Sequence, residues 1–542
     1  MKRMLVFMVL TVVATFAFAG GQTQSRAAVA FNRTGLPIVN EPVTLRMSTN
    51  LHVDNAPYGD MPFFKMMEER TGVRVTWNMI PANVYAERKT LMLAGGDLPD
   101  AMYKAGLTDF EMLTYSQQGA FLGLSEYLRS DLMPHTNAIL DQRPSVRSMI
   151  TLPDDEIYAL PWIEEMRIVY SDAFLHVNKT WLDNLGMAPP ETTEEFAEML
   201  RRFRDEDANR SGNPNDEIPF FYKPSDGIGW GGHQNGINFM MGSFGRADNQ
   251  EHIVVENREV VFTADKPEYR TAVNYFADLF AQGLIYEEAL SLVTGSDLRN
   301  FGLANQDRLG SFVAWRSFSV VSLDKSQEFV EIPPLIGPEG HRQWGRANRD
   351  EQLSKSAFVV SAKNPHPEIT LRWADYHYDP DMSIQANYGM YDSVLGVNQM
   401  GLREMIPSSE WGGQTQNEVR AKASPTNGGP FAILFDYWGD KLYMWEGPAG
   451  RQKVLAEVYS EYVSDEYYPQ LTFTLEEATE LARYQMTIVD YVNQQTTRWV
   501  RAGVPITDAE WNRHLQTLNS MGLNPMLAVL QQGYDRYLAG LE

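Results

Sequence analysis

The chain has 542 residues, of which 44% are hydrophobic and 21% charged, and it contains no cysteine. A chain of this length exceeds what one hydrophobic core supports, so two large lobes are expected. The lack of cysteine excludes disulfides, thiolate metal sites and a cysteine nucleophile, and the net charge of −24 disfavours nucleic acids and anionic membranes as partners.

The first 19 residues have the pattern of a secretory signal peptide. Lys2 and Arg3 precede the apolar run 4–19, which ends in small residues at the positions that a signal peptidase reads. The run is shorter than the roughly 20 apolar residues that span a bilayer, so the pattern predicts export with cleavage after Ala19 instead of a membrane anchor. Residues 20–41 lack hydrophobic periodicity and predict a flexible leader. The mature protein is therefore expected in the periplasm or outside the cell.

Three strands alternate with two helices in the first part of the folded chain. Apolar and polar residues alternate at 43–47 and again at 73–77, and a short apolar strand is predicted at 101–103. Between these strands, one helix is predicted to end at Gly72 and another to run from 84 to 94. This βαβαβ order predicts a parallel sheet.

A second unit of strands and helices follows. Thr192 and Glu195 have the spacing of a capping box, and apolar residues at helical spacing predict an amphipathic helix after them. Thr507 and Glu510 have the same spacing near the C-terminus. A further helix is predicted at 267–283, and strands are predicted at 309–315 and 358–360.

One segment of the chain resembles a known family. Residues 174–220 are similar to the start of the second lobe in type II extracellular solute-binding proteins of ABC importers, where a Trp-Leu-x-x-Leu-Gly phrase precedes a Pro-x-Thr-x-x-Glu-Phe helix start. The residues in these phrases are Trp181, Leu182, Leu185, Gly186, Pro190, Thr192, Glu195 and Phe196. The chain resembles in particular the large branch that includes alginate-oligosaccharide binders and lipoprotein relatives. Many relatives carry a lipid-bearing cysteine where this chain has Gly20 and Gly21.

The resemblance implies an α/β protein with the two-lobe type II periplasmic-binding-protein fold. Each lobe would be a mostly parallel sheet flanked by helices, and crossing hinge segments would join the lobes. The first lobe is expected at 42–168 and 352–435, and the second, with the C-terminal helices, at 169–351 and 436–542. The resemblance also implies a monomer that holds a carbohydrate, in particular an oligosaccharide, between the lobes and hands it to ABC transporter permease subunits.

The segment after the capped helix has the composition of a calcium loop. Oxygen-bearing side chains occupy positions 1, 3 and 5, glycine occupies position 6, and acidic residues follow. The standard loop has glutamate at position 12, where this chain has Ile218, and Glu217 comes one residue early. Similar shortened loops are structural calcium sites in the resembling family, and an Asx-rich turn without metal is the alternative. The predicted ligands of a structural Ca²⁺ ion are Asp207, Asn209, Ser211, Asn213, Asp216 and Glu217.

Aromatic residues make up 12% of the chain, and several lie in loop-like surroundings rich in glycine and aspartate. Flat rings stack on the apolar faces of sugars, while neighbouring polar side chains bind the hydroxyl groups. For each ring, packing in the core is the alternative to ligand contact. The predicted ligand-binding residues are Trp162, Trp230, Trp315, Tyr388 and Trp438.

Two further functions are alternatives to a transport protein. The acidic runs 154–156 and 164–165 could belong to a secreted polysaccharide-processing enzyme, and the fold could also serve a ligand-sensing partner of a membrane receptor. The chain has no HExxH, GxSxG or P-loop motif. Residues 227–232 match GxGxxG but do not follow a strand, so no nucleotide is predicted. We therefore expect a binding protein without enzymatic activity.

Overall fold

The computed structural model describes residues 29–52, 54–165, 171, 173–224, 236–292, 295–348, 352–412, 414, 416–443 and 453–541. Its strands are β1 Val43–Leu51, β2 Val73–Pro81, β3 Ala101–Tyr103, β4 Ala159–Glu164, β5 Phe174–Asn178, β6 Ile218–Phe221, β7 Ile253–Glu256, β8 Glu259–Phe262, β9 Leu309–Ala314, β10 Phe329–Glu331, β11 Gln352–Val360, β12 Leu395–Val397, β13 Arg403–Met405 and β14 Ala432–Ile433. Its helices are α1 Pro62–Thr71, α2 Tyr85–Gly95, α3 Asp109–Gln117, α4 Ser125–Leu128, α5 Pro134–Gln142, α6 Pro144–Ile150, α7 Lys179–Leu185, α8 Thr193–Asp205, α9 Pro267–Ala281, α10 Gly295–Asn305, α11 Leu323–Ser326, α12 Pro367–Tyr376, α13 Pro380–Tyr388, α14 Gln416–Ala423, α15 Tyr437–Asp440, α16 Leu475–Ala502, α17 Asp508–Ser520 and α18 Leu523–Leu541.

Local sequence signals explain where several of these helices begin and end. The Thr192 hydroxyl accepts the amide of Glu195, whose carboxylate accepts the Thr192 amide in return, so the predicted capping box of α8 is confirmed. The same exchange joins Thr507 and Glu510 at the start of α17. Helix α1 ends at Gly72, which has a φ of 75° that residues with a Cβ rarely adopt. The sequence therefore fixes these ends through contacts within one turn.

The first sheet has six strands in the order β14-β4-β11-β3-β1-β2. Strands β2 and β3 both pair with β1 in parallel, as the βαβαβ order predicted. Strand β11 is antiparallel to both β3 and β4, because it enters the sheet as the chain returns from the second lobe. Since β14 is parallel to β4, three of the five pairings are parallel, and the prediction of a mostly parallel sheet is confirmed here.

The second sheet has four strands in the order β10-β5-β9-β6. Only β6 and β9 pair in parallel, whereas β5 is antiparallel to both β9 and β10. The prediction of a mostly parallel sheet is therefore corrected for this lobe. Strand β5 carries the chain into the lobe and β10 is the last strand before it leaves, so these two neighbours run in opposite directions. Hydrophobic periodicity reports which face of a strand is buried and does not report strand direction.

The segments that join the lobes are adjacent strands. Strand β4 precedes the passage into the second lobe, β11 follows the return, and the two pair along most of their length. One large hydrophobic cluster lies within the first lobe, and the other fills the second lobe and extends into the first, where it includes Met102 and Met112. Helix α16 packs on α9 and α18 and also contacts α3 of the first lobe. The predicted two-lobe architecture with crossing segments is thereby present.

The segment before β1 is packed in the described residues. Ile38 and Val39 are buried, and their amides donate hydrogen bonds to the carbonyl oxygen of Thr71 at 2.9 and 3.1 Å. Arg372 Nη2 also donates to the carbonyl oxygen of Gly35 at 2.6 Å. Of the leader predicted at 20–41, residues 29–41 are therefore tied to α1 and α12 by hydrogen bonds and by the buried Ile38 and Val39, whereas 20–28 lie outside the described residues.

Candidate functional site

A cleft of about 610 Å³ opens where strands β1, β2 and β3 end. Its volume falls within the roughly 300–1,000 Å³ that is common for small-molecule sites. Ligands of parallel α/β sheets bind in the crevice outside the carboxyl ends of the strands, and this cleft has that position. Its lining residues are Asn50, His52, Asp54, Asn55, Ala82, Lys104, Gly106, Trp162, Ser354, Asn417, Arg420, Ala421, Thr426, Asn427 and Gly428.

Among the described residues, the cleft combines one large aromatic side chain with many polar ones. Trp162 on β4 is only 2% exposed and lies opposite Ser354 of β11, so the two strands that join the lobes fix its ring. Most other lining residues carry an amide, hydroxyl, carboxylate, imidazole, ammonium or guanidinium group. A fixed ring beside several donors and acceptors suits a ligand that has apolar faces and many hydroxyl groups.

Lys104 lies in the cleft because of the turn after β3. Its backbone has a φ of 51°, its Nζ donates a hydrogen bond to the carbonyl oxygen of Pro425 at 2.5 Å, and this nitrogen lies 5.8 Å from the ring centroid of Tyr58. Burial lowers the pKa of Lys104 to about 7. The side chain can therefore change its charge close to neutral pH.

Side chains of α2 hold this turn from outside the cleft. The Tyr85 hydroxyl donates to the carbonyl oxygen of Ala105 at 3.0 Å, and Lys89 Nζ donates to that of Gly106 at 2.6 Å. Lys89 also forms an ion pair of 2.7 Å with Glu111 in which both side chains are largely buried. Because the buried ammonium of Lys89 has both an opposite charge and a carbonyl partner, it can hold the turn without being left unsatisfied.

Arg420 of α14 reaches the cleft from a hydrogen-bonded cluster behind its wall. Its Nε and Nη2 donate to the carbonyl oxygen of Asn387 at 3.2 and 2.8 Å, and its guanidinium carbon lies 5.1 Å from the ring centroid of Tyr388. The Tyr388 hydroxyl donates to Glu164, which also accepts from Asn387 Nδ2 at 2.9 Å. Burial raises the pKa of Glu164, and the hydrogen bond from Tyr388 and the charge of Arg420 offset part of that rise.

The predicted ligand-binding aromatic residues occupy different places. Trp162 lines the cleft, whereas Tyr388 and Trp438 pack on each other with ring centroids 5.6 Å apart. Trp315 packs against the hydrophobic cluster of the second lobe. Trp230 lies outside the described residues. Ligand contact by these residues stays a prediction.

No sequence pattern identified Lys104 and Arg420 as residues of the cleft. Lys104 directly follows the predicted strand 101–103, so the rule that ligands bind at strand ends would have found it. Asn50, at the end of β1, could have been found in the same way. Arg420 reaches the cleft through contacts between distant parts of the chain, and no local signal marks it.

The loop between α8 and β6 brings the predicted metal ligands close together. Asp207 Oδ2 accepts the amide of Gly212 at 3.0 Å, and Asn209 Oδ1 accepts the amide of Ser211 at 2.8 Å. The Asp216 carboxylate accepts Asn209 Nδ2 at 2.9 Å and Ser211 Oγ at 3.2 Å. The side-chain oxygens are thus gathered around the turn that Gly212 makes with a φ of 86°.

Three carboxylate oxygens of this loop are buried without a hydrogen bond of ordinary geometry. They are Oδ1 of Asp207 and both oxygens of Glu217. Burial raises the pKa of Glu217, nearby backbone amides such as that of Asn209 lower it, and the charge of Asp216 raises it further. Buried carboxylate oxygens need a positive charge or a donor, and Ca²⁺ prefers such hard oxygen ligands. The donor set therefore fits calcium.

The loop would complete a calcium site with neutral oxygens. Among the described residues, no three acidic, histidine or cysteine side chains are grouped to hold a metal on their own. The carbonyl of Asn213 accepts Ser211 Oγ at 3.4 Å, so it already faces the interior of the loop. To bind the ion, Asn209 Oδ1 would have to leave the Ser211 amide, and Ser211 Oγ would have to turn from its hydrogen bond to Asp216.

Comparison with known proteins places the chain among binding proteins. Residues 56–383 match the family described as bacterial extracellular solute-binding protein. The chain is also similar to the fructooligosaccharide ABC transporter substrate-binding protein FusA from Streptococcus pneumoniae serotype 4. The two share 30% identity over 483 residues, which cover 87% of this chain and 86% of FusA.

Two solved structures of S. pneumoniae FusA have the same fold. The complex with kestose has a TM-score of 0.83 at 29% identity and covers 92% of this chain and 100% of that chain. The EF-hand mutant in complex with fructo-nystose has a TM-score of 0.82 with the same identity and coverage. The α/β fold expected from the sequence is thereby confirmed. No helix in the described part of this chain has both the length and the apolar character needed to cross a bilayer.

Proposed function

Because the chain belongs to the bacterial extracellular solute-binding proteins, we propose that it captures an oligosaccharide in the cleft beside β1, β2 and β3 and delivers it to the permease subunits of an ABC importer. The observation that carries this proposal is the cleft, which places Trp162 among polar side chains such as Asn50, Lys104 and Arg420. FusA, which is named for fructooligosaccharides, supports the ligand class and the transport partner. A fructose-containing oligosaccharide is therefore the first ligand to test.

The family comparison identifies a binding protein and not an enzyme. Two of the acidic residues that suggested a polysaccharide-processing enzyme make structural contacts. Glu164 accepts hydrogen bonds from Tyr388 and Asn387, and Glu165 forms a two-pronged ion pair with Arg143 at 2.5 and 2.8 Å. Neither carboxylate is among the described residues that line the cleft. No observation favours a separate receptor-partner function.

Calorimetry with kestose and maltotriose tests the binding function. We expect one molecule of kestose per chain, and chromatography of the mixture should recover the sugar unchanged. Arg420→Gln should weaken binding, because the substituted side chain loses the charged donors of the cleft. Sugar products would contradict the binding function. Binding of neither sugar, nor of any other oligosaccharide in a thermal-shift screen, would contradict the proposed ligand class.

We also propose that the loop from Asp207 to Glu217 binds one structural Ca²⁺ ion. The orphaned oxygens of Asp207 and Glu217 support this site, and the FusA structure described as an EF-hand mutant indicates a comparable loop in that relative. Asn209, Ser211, Asn213 and Asp216 would supply the other ligands. A bound ion would join the end of α8 to the start of β6 and stabilise the folded second lobe.

Export and assembly are also proposed from the sequence. Residues 1–19, which lie outside the described part of the chain, would direct export and be removed after Ala19. Because the chain contains no cysteine that could carry a lipid, the mature protein would lack a lipid anchor. It would act as a monomer, as the family resemblance implies. Sequencing the N-terminus of the exported protein tests this proposal, and retention of Met1 would contradict it.

The proposed lobes comprise residues 42–168 with 352–435, and 169–351 with 436–542. Strands β4 and β11 support a hinge at the junction, because they pair side by side where the chain passes between the sheets. Every described residue that lines the cleft belongs to the first lobe in this division. The second lobe is therefore the part that would close over the bound ligand.

A further inference from the structure

Arg420 is the only arginine among the described residues that line the cleft, and its guanidinium packs on the buried ring of Tyr388. Tyr388 and Glu164 are almost fully buried, and Asn387 is completely buried. None of these three is among the described residues that line the cleft. They therefore stand behind the wall from which Arg420 projects.

The contacts of these residues form a series that begins at Glu164 in the sheet and ends at Arg420 in the cleft. Glu164 at the end of β4 accepts hydrogen bonds from the Tyr388 hydroxyl and from Asn387 Nδ2. Asn387 in turn accepts both Nε and Nη2 of Arg420 with its carbonyl oxygen, while the Tyr388 ring lies against the guanidinium. Each member thus limits the freedom of the next, and Arg420 is the last member and the only one at the cleft.

The position of Glu164 connects this cluster to the rest of the site. Residues two apart on a strand point to the same face, so Glu164 lies on the face of β4 that carries Trp162. Burial lowers the pKa of Arg420, and its neighbours Tyr388 and Glu164 raise it. A buried charge of this kind is held in place by its partners, because leaving it unpaired is costly.

We propose that Glu164 and Tyr388 are positioning residues that fix the Arg420 guanidinium for ligand recognition without touching the ligand. The inference rests on the proposed binding function of the cleft. It gives Tyr388 a different role from the direct stacking contact predicted from the sequence. A long arginine side chain loses rotamer freedom on binding, and holding it beforehand reduces that loss.

A second cluster, which also joins an arginine, a tyrosine and an acidic residue, provides a matched control. Arg403 lies 3.8 Å from the ring centroid of Tyr391, whose hydroxyl donates to Asp381 Oδ1 at 3.1 Å. None of these three is among the described residues that line the cleft. Tyr391→Phe therefore removes an equivalent hydroxyl–carboxylate bond from an arginine–tyrosine pair without disturbing the proposed site.

A double-mutant cycle on kestose affinity tests the inference. Tyr388→Phe keeps the ring but removes its bond to Glu164, and Glu164→Gln keeps the shape but removes the charge. We expect each to raise the Kd about tenfold, the scale of one hydrogen bond to a charged group, while Tyr391→Phe leaves it unchanged. In an Arg420→Gln background both changes should have no further effect, since they act through Arg420.

The outcomes separate positioning from a structural role. If Tyr388→Phe and Glu164→Gln lower affinity equally with and without Arg420, or do not lower it, the inference is overturned. Thermal melting identifies a variant that fails to fold, in which case the other variant decides. If the wild type binds no oligosaccharide, the proposed function fails, and ligand-free crystal structures of both variants decide the inference. Displacement of the guanidinium from the Asn387 carbonyl would support it, and an unmoved Arg420 would overturn it.

Discussion

Single residues of the cleft serve both folding and recognition. Trp162 lines the cleft but is nearly buried, so only a small part of its ring is open to a ligand. It lies opposite Ser354 in the pairing of β4 with β11, and its ring packs near Phe431 with centroids 6.5 Å apart. A substitution here therefore changes the core of the first lobe as well as the surface that meets the ligand.

Trp162→Ala should reduce both stability and affinity. Removal of a buried tryptophan side chain leaves a cavity, so we expect the free energy of unfolding to fall by about 3–5 kcal/mol. Trp162→Phe keeps an aromatic ring and should cost less of both. Urea denaturation measures the stability and calorimetry with kestose the affinity. An alanine variant of wild-type stability would show that the ring is not part of the core.

Lys104 should make stability depend on pH. Burial lowers its pKa from 10.5 to about 7, so between these values the unfolded chain holds a proton that the folded protein lacks. Stability rises with pH wherever the unfolded state binds more protons. The free energy of unfolding of the wild type, relative to Lys104→Met, should therefore rise between pH 7 and pH 9 in urea titrations. Lys65→Met, which removes an exposed lysine of α1, is the control, and a pH-independent difference for Lys104→Met would contradict the expectation.

At the scale of elements, the loop between α8 and β6 should make stability depend on calcium. At a calcium concentration 100 times the Kd, binding adds about 2.7 kcal/mol to the free energy of unfolding, which raises the Tm of the proposed second lobe by about 4–5 °C. We expect a chelator to lower the Tm of the wild type by this amount, as measured by calorimetry. Asp207→Ala combined with Asp216→Ala should remove the effect of chelator.

A neighbouring acid provides the control for this loop. Asp205 ends α8 and pairs with Arg204, outside the proposed ligand set. Asp205→Asn should therefore keep the response to chelator. If chelator leaves the wild-type Tm unchanged and titration detects no calcium, the segment is an Asx-rich turn whose side chains only cap its own amides.

Most elements could be predicted from local pattern, whereas their arrangement could not. The capping box of α8 and the glycine that ends α1 act within one turn, so the sequence shows them directly. The direction of β5 depends on where the chain enters the second lobe, which no short window of sequence contains. The packed segment 29–41 was missed for the same reason, because its partners lie in α1 and α12.

At the scale of the whole molecule, the cleft depends on contacts between distant parts of the chain. Lys104 follows a strand that the sequence predicts, so its place at the cleft could be predicted from the fold. Arg420 and Asn427 come from a segment far along the chain, and their place depends on how α14 packs on the first lobe. Family resemblance predicted a cleft between lobes, but only the packing of side chains shows which residues form its described wall.

Ligand binding should bring the two lobes together. The described cleft residues all belong to the first lobe of the proposed division, so no described residue of the second lobe forms a wall of the cleft. A ligand shifts an open and closed equilibrium only by its greater affinity for the closed form, and contacts from a second wall would provide that difference. Small-angle X-ray scattering should therefore show a smaller radius of gyration with saturating kestose than without it. The Arg420→Gln variant should keep the larger radius of gyration when the kestose concentration is too low to occupy its cleft. Binding of kestose by calorimetry with no change in the wild-type radius would show that the first lobe binds the sugar without closure.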